Sequence, residues 1–321
     1  MNVLKRVISV LFRVAISIAL LVLLFRQVDT GSLFSIIRQA DKVLLFLAFL
    51  VYFASYIMCL LRWDMLLKTI QIKLLFRRVA VSFCGGIFFN LFLPSSIGGD
   101  FVRSVDLASH TKKASQVVAT VFLDRLSGYI GLVILSLVSL ALGWGLVLDK
   151  GILISIGAIS FILLVILTVL FNNFAYSRIN RMLSSPAAGR IRELITNLHQ
   201  EIYYFRQHKS VIISNILLSL LIQIIPPLTF YILALSLGLE ISMFYFFIFL
   251  PIIGAVTLLP VSIGGLGLRE ATTVILFSQA GVSKDLSLAM SLLSSFFIAV
   301  YAAIGGLVYV FGIHRRRLQR S

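Results

Sequence analysis

The sequence is poor in the residues that build disulfide frameworks, metal centres and catalytic sets. It contains 2 cysteines and 4 histidines among 321 residues. Cys59 and Cys84 both lie in apolar segments, which predicts no disulfide framework, and the histidines are too far apart to show metal-ligand spacing. The sequence shows no serine–histidine–aspartate set, P-loop or dinucleotide fingerprint. We therefore expect no catalytic residue, no metal and no cofactor, and predict that the protein is not an enzyme.

Charge is also scarce. Only 12% of the residues are charged, whereas 60% are hydrophobic, and the mean hydropathy is +1.06. Apolar runs that approach or exceed the roughly 20 residues needed to span a bilayer cover 43–61, 151–171, 211–237, 243–263 and 286–313. A further run, 7–25, lacks the small-residue cleavage site of a secretory signal and is predicted to be an uncleaved first span. The composition predicts an all-α, polytopic membrane helix bundle.

The basic residues are concentrated in a few polar stretches. The chain has 28 Lys and Arg against 12 Asp and Glu, and the basic residues crowd into 62–78, 178–209 and the tail 315–320. Loops rich in Lys and Arg mark the cytoplasmic side, so both termini are predicted to be cytoplasmic in a multi-pass protein of the cell membrane. The same loops favour anionic inner-leaflet lipids as partners, and nucleic acid is not expected.

The largest polar segment, 172–210, keeps a helical period of apolar residues. This pattern predicts a cytoplasmic amphipathic helix. It either lies along the membrane surface or packs on the protein's own cytoplasmic side, and the two interpretations are equally supported.

One heptapeptide, Leu-Pro-x-Ser-Ile-Gly-Gly, occurs twice, at 93–99 and at 259–265. An arginine follows its proline by nine residues in both copies, at Arg103 and Arg269. Proline removes an amide donor and paired glycines weaken a helix, so each copy should break the backbone within an apolar region. Such breaks are tolerated at membrane depth only where protein or a water-filled cavity surrounds them. Because the motifs match, we expect matching backbones.

These breaks predict two re-entrant hairpins in addition to about six full spans. Three spans separate the hairpins, so they should enter from opposite faces as an inverted repeat and meet near the midplane. The halves would be about 1–147 and 151–313 of a single membrane domain, 1–321. Eight full spans are the alternative. A loop is expected at 26–42, and a kink at Pro226-Pro227.

Ionisable residues at membrane depth usually have a task or a partner, because each costs about 2.5–3.5 kcal/mol to insert. Arginine forks suit phosphate oxygens, and helix N-termini bind anions. We therefore predict a substrate site around the two breaks, with Asp100, Asp124 and Glu270 as candidates for proton coupling. The predicted substrate-binding residues are Asn90, Ser96, Gly98, Gly99, Asp100, Arg103, Asp124, Arg125, Ser262, Gly264, Gly265, Arg269 and Glu270, with Pro94, Pro226, Pro227 and Pro260 as hinges.

Each of these residues also has a structural interpretation. Asp124 and Arg125 could neutralise charges on other helices, and Asp100 could cap the helix that comes after the first break. Arg62 is better explained as an anchor at the membrane surface. The glycines could serve close helix packing, and Asn90 could simply hydrogen-bond between helices.

The two motifs, with Asn90 before the first, Glu270 after the second, and Arg62-Trp63 closing the second span, resemble the lysylphosphatidylglycerol synthase transmembrane (flippase-like) family. The resemblance covers nearly the whole chain. It implies a membrane unit that, in the family's bifunctional members, moves an aminoacylated phospholipid between leaflets. In bifunctional members a cytoplasmic aminoacyl-transferase domain makes that lipid, and here we expect a stand-alone membrane unit without it.

Our leading hypothesis is therefore a lipid translocase for an anionic phospholipid or a polyprenyl-phosphate-linked lipid. A second hypothesis is a secondary transporter of a soluble anionic solute, which needs a closed hydrophilic pocket instead of a lateral cleft. A third is an accessory protein to a membrane-associated glycosyl- or aminoacyl-transferase.

Overall fold

The structure is a computed structural model of the chain. It describes residues 2–72, 74–93, 98–111, 113–143, 150–172, 177–178, 196, 205, 207–257 and 261–318. The predicted amphipathic segment 172–210 falls almost entirely outside these residues, and so do Pro94, Ser96 and Pro260.

The described residues form eleven α-helices and no strand. In chain order they are α1 (Asn2–Arg26), α2 (Thr30–Gln39), α3 (Lys42–Thr69), α4 (Phe76–Phe92), α5 (Gly98–Ala108), α6 (Ala114–Leu142), α7 (Lys150–Phe171), α8 (Lys209–Ser236), α9 (Met243–Thr257), α10 (Leu268–Gln279) and α11 (Lys284–Leu318). Five of these helices are long and apolar enough to cross a membrane, and six are if α1 and α2 count as one bent span. The predicted all-α, polytopic membrane bundle is confirmed.

The segment 26–42 is not the predicted loop, because most of it is helix α2. Asp29 accepts a hydrogen bond from the Gly31 amide and so caps α2, and Asp41 caps α3 through the amides of Val43 and Leu44. The chain turns by 88° between α1 and α2. Two caps so close together define a short helix that apolar periodicity alone did not reveal.

The helix lengths repeat along the chain. From α3 to α6 the order is long, short, short, long, with 28, 17, 11 and 29 residues. From α8 to α11 it is the same, with 28, 15, 12 and 35 residues. Each short helix has fewer than the roughly 20 residues that a full span needs. The two glycine motifs fall at equivalent places, between the short helices of each set.

The packing between the two sets is reciprocal. Helix α4 packs on α11, the last helix of the other set, and α9 packs on α6 in the same way. The two first helices, α3 and α8, pack antiparallel, since the Asp41 amide before α3 donates to the Ser236 carbonyl that ends α8 (2.8 Å). Antiparallel equivalents are what an inverted relation between two halves requires.

The two glycine pairs do not share one backbone, and the expectation of matching conformations is wrong. Gly98 and Gly99 begin α5, whereas Gly264 and Gly265 have φ of 58° and 79° and precede α10. The difference arises from the next residues. Gly267, at φ 81°, delays the start of α10 by a turn, and its amide is capped by Glu270 (2.7 Å).

The proline pair at 226–227 does not break its helix, because α8 runs through both positions to Ser236. Proline cannot donate to the carbonyl four residues earlier, so the carbonyls of Ile222 and Gln223 lose their helical donor there.

Candidate functional site

A cavity of about 310 Å³ lies between the two sets of helices. Its wall includes Asn90, Asp100 and Arg103 from around the first break, and Gly264 and Arg269 from around the second. The other lining residues are Tyr52, Tyr56, Cys59, Arg62, Phe83, Gly86, Ile87, Leu91, Asp124, Arg125, Thr257 and Ile298. Asp124 is the eleventh residue of α6, about 15 Å along that helix, so the polar wall is deep inside the apolar bundle.

The second break touches the helix that leads into the first break at this cavity. A Cβ atom at Gly264 would lie 3.2 Å from the carbonyl oxygen of Leu91, on the helix that enters the first break. Within the first break, the Gly99 amide donates to Asn90 Oδ1 (2.8 Å), and Gly99 packs so tightly on Gly86 that no side chain fits. The predicted convergence of the breaks is therefore seen among the described residues.

Asp124 joins two arginines from different helices. Its Oδ1 accepts from Arg62 Nε (2.7 Å) and its Oδ2 from Arg103 Nη2 (2.8 Å). Arg62 also donates to Ser219 on α8 (2.8 Å). Arg62 is only 5% exposed, so it is not the surface anchor we expected. The ion pair with Asp124 makes this buried position possible, because a buried arginine without a counter-charge would cost much more free energy than a paired one.

Asp100 joins Arg103 to a third arginine, Arg125. Arg125 donates to it through two nitrogens, Nε to Oδ2 (2.5 Å) and Nη2 to Oδ1 (3.1 Å), and Arg103 Nη2 lies 3.0 Å from Oδ1. Asp100 lies inside the first turn of α5 and uses both carboxylate oxygens on arginines, so it is more than a helix cap. The two aspartates thus hold three arginines in one network.

The guanidinium of Arg103 packs against aromatic rings through its flat face, in addition to its contacts with the two carboxylates. It lies 4.6 Å from the ring centroid of Trp63 and 5.6 Å from that of Phe83. Trp63 is fully buried, and its Nε1 donates to Thr120 on α6 (3.2 Å). Stacking on an aromatic ring stabilises a cation and fixes the plane of the arginine fork.

Arg269 has a different environment, since it forms no ion pair with a carboxylate among the described residues. Its Nη1 donates to Ser295 on α11 (3.1 Å), and its Nη2 to the Gly264 carbonyl (3.3 Å). Ser295 in turn donates to Glu270 Oε1 (2.6 Å). Glu270 is completely buried and does not line the cavity, so its effect on Arg269 is transmitted through a neutral hydroxyl.

A second cavity of about 210 Å³ adjoins the first. Both cavities have Tyr52, Thr257, Arg269 and Ile298 in their walls. The second also includes Leu132, two turns beyond Asp124 on α6, and the three prolines Pro226, Pro227 and Pro251. Arg269 therefore stands where two cavities, offset along the long helices, come together.

Of the predicted site residues, seven line the first cavity: Asn90, Asp100, Arg103, Asp124, Arg125, Gly264 and Arg269. Gly98, Gly99, Ser262, Gly265 and Glu270 do not line it and lie behind it or beside it. Sequence reasoning missed Tyr52, Tyr56, Cys59 and Thr257. Tyr52, Tyr56 and Cys59 lie at helical spacing on α3, on one face with Arg62, which is a signal that could have revealed them.

Comparison with known proteins places this geometry in a family. The profile of the lysylphosphatidylglycerol synthase TM region matches residues 10–306. A UPF0104 membrane protein of Pyrococcus horikoshii is 26% identical over 303 residues, covering 87% of this chain and 90% of the relative. A UPF0104 membrane protein of Methanothermobacter thermautotrophicus is 24% identical over 303 residues, covering 86% and 87%.

Proposed function

The chain belongs to the lysylphosphatidylglycerol synthase transmembrane family, and on this basis we propose that it is a lipid translocase. It moves a lipid with an anionic headgroup, either a phospholipid or a polyprenyl-phosphate-linked lipid, between the leaflets of the cytoplasmic membrane. The protein performs no covalent chemistry on the lipid. A membrane-associated transferase is a candidate partner that would make or use the lipid.

The observation that carries this proposal is the meeting of two helix breaks at a cavity lined by four arginines. A charged headgroup cannot cross the hydrocarbon core of the bilayer unaided, because burying an unpaired charge is very costly. The cavity offers guanidinium donors at about the depth where that cost is greatest. Transporters commonly build their substrate site from paired broken helices in this way.

The surroundings of the cavity favour a lipid over a soluble solute. Helix α5 presents Asp100 and Arg103 to the cavity, while its opposite side exposes Phe101 and Val105, which are 70% and 50% accessible. A single short helix therefore separates the polar wall from an apolar outer surface. A headgroup can occupy the cavity while its acyl chains stay in the bilayer beside α5.

The neighbouring cavity supplies a route across the membrane. We place α4–α5 and α9–α10 as two re-entrant hairpins that enter from opposite faces, with the arginine network at their tips. In this arrangement Arg269, Tyr52, Thr257 and Ile298 form the wall between the two cavities. Movement of one set of helices against the other would open the headgroup site to each leaflet in turn. The basic stretches of the chain would contact anionic lipids of the inner leaflet.

Leaflet exchange of labelled lipids in reconstituted vesicles tests this proposal. Wild-type protein should accelerate exchange of an anionic lipid above the rate in empty vesicles. Arg103→Lys keeps the charge but loses the planar fork, and should slow exchange by about tenfold or more, the effect of one strong charged hydrogen bond. The matched control is Arg38→Lys on α2, an exposed arginine that lines neither cavity.

The outcomes separate the competing functions. Exchange equal to that of empty vesicles, for several headgroups, would contradict the translocase proposal. Release of entrapped inorganic diphosphate without lipid exchange would indicate a transporter of a soluble anion. An Arg103→Lys variant that folds and exchanges lipid at the wild-type rate would remove the cavity from the mechanism.

A further inference from the structure

The lining of the first cavity carries an excess of positive charge. Among the described residues that line it, four guanidinium groups, from Arg62, Arg103, Arg125 and Arg269, face two carboxylates, so two positive charges are left over. If Glu270, which lies behind Ser295, is counted as ionised, one positive charge still remains. The cavity is cationic by either count.

The excess is located at two positions. Asp124 is shared by Arg62 and Arg103, and Asp100 by Arg103 and Arg125, so the available acceptor oxygens are already engaged. Arg269 has a neutral hydroxyl and a backbone carbonyl as its acceptors within the described part of the chain.

Arg103 provides the second position. It is 3% exposed, and its Nε and Nη1 have no hydrogen-bond partner within the part of the chain that the structure describes. Buried guanidinium nitrogens without partners are rare in proteins, since leaving them unmet costs free energy. Arg103 also lines the cavity, and a small shift of its side chain toward a bound oxyanion would give these buried nitrogens the acceptors they lack.

We propose that the cavity selects a phosphate headgroup that carries no ammonium group. This inference rests on the proposed function and specifies its substrate class. A phosphomonoester or diphosphate end bears two or more negative charges and matches the excess best. A phosphodiester with one negative charge comes second, and a zwitterionic headgroup third.

An aminoacylated phospholipid, such as the lysyl ester in the family's name, is excluded. Its ammonium groups would add positive charge beside Arg103 and Arg269, where each carboxylate is already paired. Like charges at close range in a cavity of low dielectric repel strongly. The volume of about 310 Å³ is at the lower end of ligand pockets, which suits a compact phosphate end.

Binding in detergent tests this selection independently of transport. Short-chain phosphatidate, phosphatidylglycerol, phosphatidylcholine and lysylphosphatidylglycerol, together with inorganic diphosphate, are titrated against the purified full chain by calorimetry. We expect affinity to fall in the order phosphatidate, phosphatidylglycerol, phosphatidylcholine, with lysylphosphatidylglycerol weakest. Lysylphosphatidylglycerol binding as tightly as phosphatidylglycerol, or no binding by any of the lipids, would overturn the inference.

A charge-removing variant links the selection to the cavity. Arg269→Gln deletes one unpaired charge without orphaning a carboxylate, so the protein should still fold. It should weaken phosphatidate binding by about tenfold, which corresponds to the loss of one charged hydrogen bond. The difference in affinity between phosphatidate and phosphatidylglycerol should therefore become smaller. Arg38→Gln should leave both affinities unchanged. If the affinities of Arg269→Gln for phosphatidate and phosphatidylglycerol differ as much as those of the wild type, Arg269 does not contribute to the selection.

The binding and exchange experiments together also distinguish a free phosphate anion from a lipid headgroup, and the selectivity proposal from the translocase proposal. Diphosphate binding as tightly as phosphatidate identifies a free anion as a ligand of the same chemistry, whereas tighter phosphatidate binding identifies a lipid. If the predicted order holds but vesicles show no exchange, the selectivity is supported and the translocase function fails. If exchange occurs but lysylphosphatidylglycerol is the preferred lipid, lipid translocation is supported, and the selectivity for an anionic headgroup fails.

Discussion

Gly264 in the second break packs against the carbonyl oxygen of Leu91 at the first break, where a Cβ atom would lie 3.2 Å away. Gly264 also has φ 58°, in the left-handed region. Gly264→Ala should therefore suffer two penalties, about 1–2 kcal/mol for the backbone and a further loss from pushing the breaks apart. We expect a lower melting temperature and a strong loss of lipid exchange.

Gly238→Ala is the matched control for that prediction. Gly238 has φ 74°, but a Cβ atom there would meet nothing within 4 Å, so only the backbone penalty applies. It should melt lower than wild type yet keep its exchange rate. Equal exchange by the two variants would show that the contact between the breaks has no functional role.

Gly99 is the tightest contact in the first break. A Cβ atom there would lie 1.9 Å from the Gly86 carbonyl oxygen, so Gly99→Ala must force α4 and α5 apart. We predict a destabilisation of about 1–3 kcal/mol, typical of overpacking, measured by thermal unfolding in detergent. Gly157→Ala on α7 meets nothing within 4 Å and should be neutral or stabilising by up to about 1 kcal/mol. The same melting temperature for both variants would contradict the packing described here.

Asp124 is the only described carboxylate that bonds Arg62. Asp124→Asn would leave Arg62 and part of Arg103 without a counter-charge, and should cost about 3–5 kcal/mol, as when one partner of a buried ion pair is removed. Adding Arg62→Gln should recover part of this loss, because the orphaned charge disappears. Unfolding of the two single variants and the double variant measures the coupling, and strict additivity would argue against the pair.

Ile298 lies in the wall between the two cavities, so its size should control passage without altering charge. Ile298→Phe should slow lipid exchange severely and weaken phosphatidate binding by a smaller factor, because it narrows the passage but alters no hydrogen bond. Ile304→Phe, six residues further along α11 at a position 46% exposed, is the control and should exchange normally. Equal exchange rates would place the route elsewhere.

Much of the fold could be predicted because its determinants are local. The long apolar runs specify the spanning helices, and the duplicated motif with its arginines indicated that two breaks would converge. The different backbones of Gly98 and Gly264 were not predictable from the shared heptapeptide. They depend on the residues after it, since Gly267 and Glu270 cap α10 late, whereas α5 starts within its own glycine pair.

The residues of the site were harder to predict from the sequence than the helices, because the site depends on contacts between residues that are far apart in the chain. Arg62 and Asp124 are 62 residues apart, and nothing local distinguishes Arg62 from an anchor at the membrane surface. Trp63 stands out in the sequence only as the neighbour of Arg62, yet its ring lies under the Arg103 guanidinium. Both contacts require α3, α5 and α6 to be packed, which a single sequence does not specify.

Cys59 provides the most direct measurement of the central claim, that an anionic headgroup occupies the first cavity. Cys59 lines the cavity, whereas Cys84 does not. In a Cys84→Ser protein, the rate at which a thiol reagent modifies Cys59 is followed with and without saturating short-chain phosphatidate. We predict that phosphatidate slows modification by about tenfold or more, in keeping with exclusion of the reagent by a bound ligand, and that phosphatidylcholine at the same concentration slows it less. Identical rates with and without phosphatidate, at concentrations that saturate binding, would contradict the account.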